Sequence, residues 1–186
     1  MTVEQAVADK GWKMKKLPTI VFLYDPADKS HLKSLAKVSS DKTFISASHY
    51  FNLFRVDVRT IEDKKMRRKL KEPTFVIFKA NGKKVASVKK AMSIKPLQKS
   101  LSRVFEADFG KPLTNATAAM GAVLARKAWV EDEIRRHETV LFDPVTGKLQ
   151  QNIKKAIADY KKELKDLDMH KSILTRLASG ALVASK

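Results

Sequence analysis

The densest run of chemically capable side chains is Lys64, Lys65, Arg67, Arg68, Lys69 and Lys71, six cations within eight positions. Cations at that density hold phosphates or carboxylates. On a helix they would spread around the circumference, and like charges one turn apart repel by about a few tenths of a kcal/mol. Local stability therefore does not account for them, and the plainer reading is a solvated face that aids solubility. Lys83 and Lys84, with Lys79, Lys89 and Lys90, extend the basic character over a later segment, although lysines on an edge strand also serve to block strand pairing. Readers of single-stranded nucleic acid interleave aromatics for base stacking. The cluster contains none, and Phe44, Tyr50, Phe51 and Phe54 stand at spacings that suit a core. An acidic protein or a multi-subunit assembly is the expected partner, with nucleic acid as the alternative.

Other chemistries are poorly provided for. The chain has no cysteine, which excludes thiol catalysis, dithiol exchange, thiolate zinc and iron–sulfur clusters. His31, His49, His137 and His170 form no H-x-x-x-H or H-E-x-x-H pair, so no metal site is expected. Glu131, Asp132 and Glu133 read as an exposed helical face whose charge Arg135 and Arg136 offset. With 6 glycines in the chain, no dinucleotide or P-loop motif is present and no cofactor is called for.

The elements that must carry these residues follow from patterning over 186 residues, 44% hydrophobic and 31% charged, a globular composition. Thr19 to Tyr24 (TIVFLY) predicts a buried strand, Leu53 to Val58 a second, and TFVIFKANGKKVASV two strands joined through Asn81-Gly82, a hairpin dipeptide. Helices are predicted over about 30–36, 44–50, 62–70 and 94–105. From Pro112 the pattern changes to two amphipathic helices. The first is capped by Thr114 or Asn115 and runs to about Leu141, with Met120, Val123, Val130, Ile134 and Leu141 on one stripe. The second, about 149–178, carries Ile153, Ile157, Tyr160, Leu164, Leu167 and Leu174, interrupted where Lys171 takes an apolar position. A helical hairpin over 112–186 is expected after a first domain over 1–111. Residues 1–111 hold 25 Lys and Arg against 11 Asp and Glu, and the rest 13 against 9, so most of the formal +18 lies in the first part.

The order of elements, LPTIVFLY after an N-terminal helix, then SDKTFISASHYFNLFRVDV, then EPTFVIFKANGKKV, resembles the thioredoxin-like fold family over about Val3 to Phe109. The resemblance implies an α/β fold, a three-layer thioredoxin-like domain followed by the C-terminal α-helical hairpin. Family enzymes carry Cys-x-x-Cys where the helix after the first strand begins. The matching stretch here is Ala27-Asp28-Lys29-Ser30. Ala27 has no nucleophile, and Ser30 reads as a helix N-cap with no activating base in the local sequence. Pro73 matches the proline that is cis in the family. The residues alone suit a trans proline opening a strand, and the resemblance implies cis.

These readings predict a redox-inactive, non-enzymatic binding or scaffold subunit that meets an acidic partner through its basic surface and its helical hairpin. A basic protein associated with nucleic acid or ribonucleoprotein is the alternative. An enzyme of the glutathione-transferase type stands third, because two helices are too few for that family's helical domain. No run approaches 18 consecutive apolar residues, so no membrane span is expected. The start lacks a signal-like apolar core, which predicts a cytoplasmic protein, or an exported one if this chain is a processed form.

Overall fold

A computed structural model of the chain describes residues 17–61, 67, 72–89, 94–141 and 147–184, with side chains as far as 178. The apolar run Thr19–Tyr24 forms strand β1, and its alternation decides which side chain faces which layer. Ile20 and Phe22 enter one hydrophobic cluster, Val21 and Leu23 another. A strand buried on both faces belongs in the middle of a sheet. β1 accordingly pairs on one side with β2 (Asn52–Asp57), in parallel, and on the other with β3 (Thr74–Phe78), antiparallel. β4 (Lys84–Lys89) pairs antiparallel with β3, completing the order β2-β1-β3-β4.

The connection from β3 to β4 closes where the Lys79 amide donates to the Lys83 carbonyl over 2.9 Å, leaving three residues in the loop. Gly82 has φ +81° there, the left-handed residue that a three-residue hairpin loop requires. The ladder shifts register between Ile77 and Phe78. The expected hairpin is present with a loop one residue longer than the two-residue form.

Helices α1 (Lys29–Ser39) and α2 (Lys42–Ser48) connect β1 to β2, and α3 (Ile94–Phe109) follows β4. Val38 of α1, Phe44 and Ala47 of α2, and Leu97, Leu101, Val104 and Phe105 of α3 all join Ile20, Phe22, Phe75 and Ile77 on one face of the sheet. On the opposite face Val21, Leu23, Val56, Val76 and Phe78 are also buried. The helices expected before β1 and over 62–70 lie outside the described residues, apart from Arg67, which is helical and exposed.

The remaining helices are long: α4 (Leu113–Val140) and α5 (Lys148–Ala184). Their shared seam is Val130, Ile134, Ile153, Ile157 and Leu167, flanked by Val123, Leu141, Tyr160 and Leu164. Arg126 reaches Glu163 with both guanidinium ends, at 2.6 and 3.1 Å, and Lys127 meets Asp168 at 2.7 Å. Pro112 is the helix N-cap, without a side-chain cap bond. The expected cap at Thr114 or Asn115 is therefore corrected: burial of Leu113 in the core starts the helix ahead of both.

The core does not stop at Pro112. Leu113 and Met120 belong to the cluster on the sheet, and Ala116, Leu124, Leu174 and Ala178 pack against it. The Tyr50 hydroxyl donates to the Ala116 carbonyl over 3.1 Å, across 66 residues of sequence. A Cβ on Gly121 would stand 3.2 Å from the Ser46 Oγ, so the absence of a side chain lets α4 lie close on α2. The start of α4 and the end of α5 meet one core, so the two helices run in opposite directions.

Candidate binding surface

The end of β1, where the resemblance puts a reactive centre, is occupied by local hydrogen bonds. Asp28 caps α1 by accepting the Ser30 amide at 2.8 Å. Bonds from the Ser30 side chain and backbone hold its carboxyl below the ordinary aspartate range. Ser30 is thus inside the helix, and the expectation that it is the N-cap is corrected to Asp28, whose carboxylate is the stronger acceptor. The buried His31 beside it accepts the Asp25 amide at Nδ1 over 2.8 Å and turns Nε2 toward the Asp28 carboxylate at 3.5 Å. Both ring nitrogens are engaged away from the Ser30 hydroxyl, and Ala27 is exposed with nothing to offer. Arg59, after β2, forms a bidentate bond with Asp57 and lies 3.9 Å from Asp25.

Pro73 is buried at the entry to β3. The described residues contain no cis peptide bond, so the cis expectation is corrected: the bond before Pro73 is trans. Trans is the lower-energy isomer, and a proline before the first strand residue withholds no ladder donor.

Of the expected basic cluster, Arg67 is exposed on a helix, and Lys64, Lys65, Arg68, Lys69 and Lys71 lie outside the described residues. Lys83 and Lys84 are exposed at the turn into β4. They are part of a wider pattern. In the sheet part of the chain, Asp25, Asp28, Asp41, Asp57 and Asp108 each accept a backbone amide, from Ala27, Ser30, Phe44, Arg59 and Ala80 respectively, at 2.8 to 2.9 Å. Among the described residues, Lys29, Lys33, Lys42, Lys83, Lys84, Lys89, Lys95 and Lys99 are exposed and none is ion-paired. The helix pair is arranged differently. Its acids meet bases laterally, Arg126 with Glu163, Lys127 with Asp168, Lys161 with Glu138, Arg136 with Glu133 and Arg135 with Asp132.

A cleft of about 250 Å³ opens between α2, α3 and the first turns of α4. Phe44, Ala47, Leu101 and Leu113 form its floor, and Thr43, Lys95, Gln98, Lys99 and Thr114 stand around it. A more open stretch continues past Lys42, Ser46 and Ala118. Sequence reading missed this place, because its lysines come from two elements more than 50 residues apart.

Among the described residues no three His, Asp or Glu side chains gather as a metal ion needs, and no helix is long and apolar enough to cross a membrane. No family model matches the chain, and no curated protein matches it.

Proposed function

We propose that the chain is a redox-inactive, thioredoxin-like binding subunit that engages an acidic protein partner through its basic sheet domain, with the α4–α5 hairpin as a second contact element. The order β2-β1-β3-β4, with one parallel and two antiparallel pairings and a helix after β4, supports the thioredoxin-like assignment. The lack of cysteine, the Ser30 side chain bonded to Asp28 and the occupied His31 nitrogens support a role without covalent chemistry. Met169, Ile173 and Leu177 recur every fourth residue on α5 and are exposed, as is Trp129 on α4, which supports contact by the helices.

The observation that carries the reading is the division of charge. Among the described residues, Asp25, Asp28, Asp41, Asp57 and Asp108 accept backbone amides, while Lys29, Lys33, Lys42, Lys83, Lys84, Lys89, Lys95 and Lys99 are exposed without ion pairs, so those lysines add repulsion to the fold and attraction to an anionic partner. The test is capture from extract of the source cells, with and without nuclease treatment, using the intact chain and a variant carrying Lys64, Lys65, Arg67 and Arg68 changed to Gln, which keeps helix propensity. Recovery of an acidic protein by the native chain, weakened in the variant and by salt, is expected. Recovery of nucleic acid alone, lost on nuclease treatment, overturns the reading in favour of the nucleic-acid alternative. In that case the log–log salt dependence on duplex would become shallower by about 0.9 per lost phosphate contact.

A further inference from the structure

The lysines around the α2–α3–α4 cleft have an apolar floor between them. Lys42 stands at the start of α2, while Lys95 and Lys99 lie one turn apart on α3. Between them the floor of Phe44, Ala47, Leu101 and Leu113 is contributed by three helices that already belong to the main core. Neither stretch of the cleft is lined by an Asp or a Glu. The nearest capping carboxylate, Asp41, is held on the Phe44 amide. A low-dielectric floor rimmed by one sign of charge concentrates the field at its mouth.

We propose that this cleft receives an acidic peptide segment with one large apolar side chain, the apolar group lying on the floor and flanking carboxylates meeting Lys42, Lys95 and Lys99. The inference rests on the reading of the chain as a subunit for an acidic partner, and names where and how that partner is held. The stretch over the apolar floor holds about 250 Å³, room for one large side chain, and the more open stretch beside Lys42 leaves space for flanking residues. Chemistry supports peptide over nucleic acid. Duplex phosphates would use the lysines and leave the apolar floor wet, and the floor offers a single strand one aromatic ring rather than a stacking series, whereas an aliphatic or aromatic anchor beside carboxylates uses both floor and rim. Anchors seated in a small pocket dominate peptide and protein interfaces, while rim charges chiefly speed association and select partners. Thr43 and Thr114 add hydroxyls at the mouth.

The experiment uses the full chain and three fluorescent probes: an acidic peptide with one central phenylalanine, the same peptide with glycine in its place, and a single-stranded oligonucleotide of equal charge. Anisotropy titrations at moderate salt should show the phenylalanine peptide binding about tenfold or more tighter than its glycine version, the worth of one buried aromatic. Two variants test the location. Lys95→Gln with Lys99→Gln should weaken the peptide and slow its association. Thr114→Trp places bulk at the mouth from an exposed position, and should weaken the phenylalanine peptide to the level of the glycine one. Circular dichroism and thermal melting verify that both variants are folded; a Thr114→Trp chain that melted early would be replaced by Gln98→Phe, on the opposite wall. Equal affinity for the two peptides, preference for the oligonucleotide, or peptide binding that survives filling of the cleft overturns the proposal. Loss of binding on Lys83→Gln with Lys84→Gln, with the cleft variants unaffected, also overturns it while leaving the acidic-partner reading in place.

Discussion

Met120→Ala tests whether α4 is part of the sheet's core or an appendage to it. Met120 is fully buried and belongs to the cluster that contains Phe22, Phe75, Tyr50 and Phe105, not to the α4–α5 seam of Val130 and Ile134. Truncating a buried methionine to alanine costs about 2–5 kcal/mol, the transfer of the lost groups plus the cavity left behind. Against a total stability of about 5–15 kcal/mol that is a large fraction. Val140→Ala, on the same helix but exposed, should stay within about 0.5 kcal/mol and serves as the control.

The assay is urea unfolding read by far-ultraviolet circular dichroism and by the fluorescence of Trp129 on α4, with Trp12→Phe as background. Hydrogen exchange of the β1 and β3 amides supplies the readout from the sheet. If the core is continuous, both optical transitions move together to lower urea. Exchange at Val21 and Ile77 should accelerate by about thirtyfold or more, the equivalent of 2 kcal/mol, because the best-protected amides exchange through global opening. A Met120→Ala chain in which Trp129 responds early while strand amides keep their protection would refute the reasoning. So would a total loss below about 1 kcal/mol.

Two further perturbations probe contacts between distant elements. Burial, reinforced by the charge of Lys171 on α5, holds the His49 imidazole below its usual range; its stabilising contribution is therefore complete above the unfolded value near 6.5 and is lost as pH falls through the folded value. The melting temperature should drop between pH 7.5 and pH 5, and less so in His49→Gln; an identical drop in both chains would discard the linkage. Asp108, at the end of α3, accepts the Ala80 amide at 2.8 Å and so ties the β3–β4 turn to that helix. Asp108→Ala should cost about 1–2 kcal/mol, a hydrogen bond to a charged group less the relief of an acid from a helix C-terminus, and Asp108→Asn less; urea midpoints that rank the two variants the other way would count against the tether.

Local physics made most of this architecture legible. β1 occupies Thr19–Tyr24, as a continuous apolar run bounded by Asp25-Pro26 predicts. The stripes of α4 and α5 supply their seam except for Met120 and Leu174, which go to the sheet's core, and the charge of Lys171, out of place as a core residue, acts on His49. Boundaries moved where serine is ambiguous. α1 runs on to Ser39, whose hydroxyl donates to the Leu35 carbonyl, although serines there resemble a loop. α2 ends at Ser48, not Tyr50, because Tyr50 and Phe51 leave the helix to enter the core. Tyr50 also requires an acceptor for its hydroxyl, and the one it finds is on α4, a pairing that no local pattern contains. The cleft was illegible for the same reason. Its lysines are dispersed in sequence and become neighbours only when α2, α3 and α4 pack, whereas the run over 64–71 is conspicuous by adjacency alone.

The two halves of the chain use the same charged residues for different work. On α4 and α5, five of the eight acids meet bases, either one turn apart or across the seam, which aligns two long helices that carry 12 cations against 8 anions. In the sheet part of the chain five aspartates are spent on the backbone. Asp28 and Asp41 start helices, Asp57 caps the turn after β2, and Asp108 fixes the turn after β3. Asp57 also meets the Arg59 guanidinium, but none of these carboxylates pairs with Lys29, Lys33, Lys42, Lys83, Lys84, Lys89, Lys95 or Lys99. The surplus of cations is therefore not a by-product of ion pairs that hold the fold. Exposed lysines contribute little to folding when unpaired, and their mutual repulsion opposes it. A surface with that cost and no compensating role inside the molecule points outward, and where it surrounds an apolar floor it specifies more than the sign of its partner's charge.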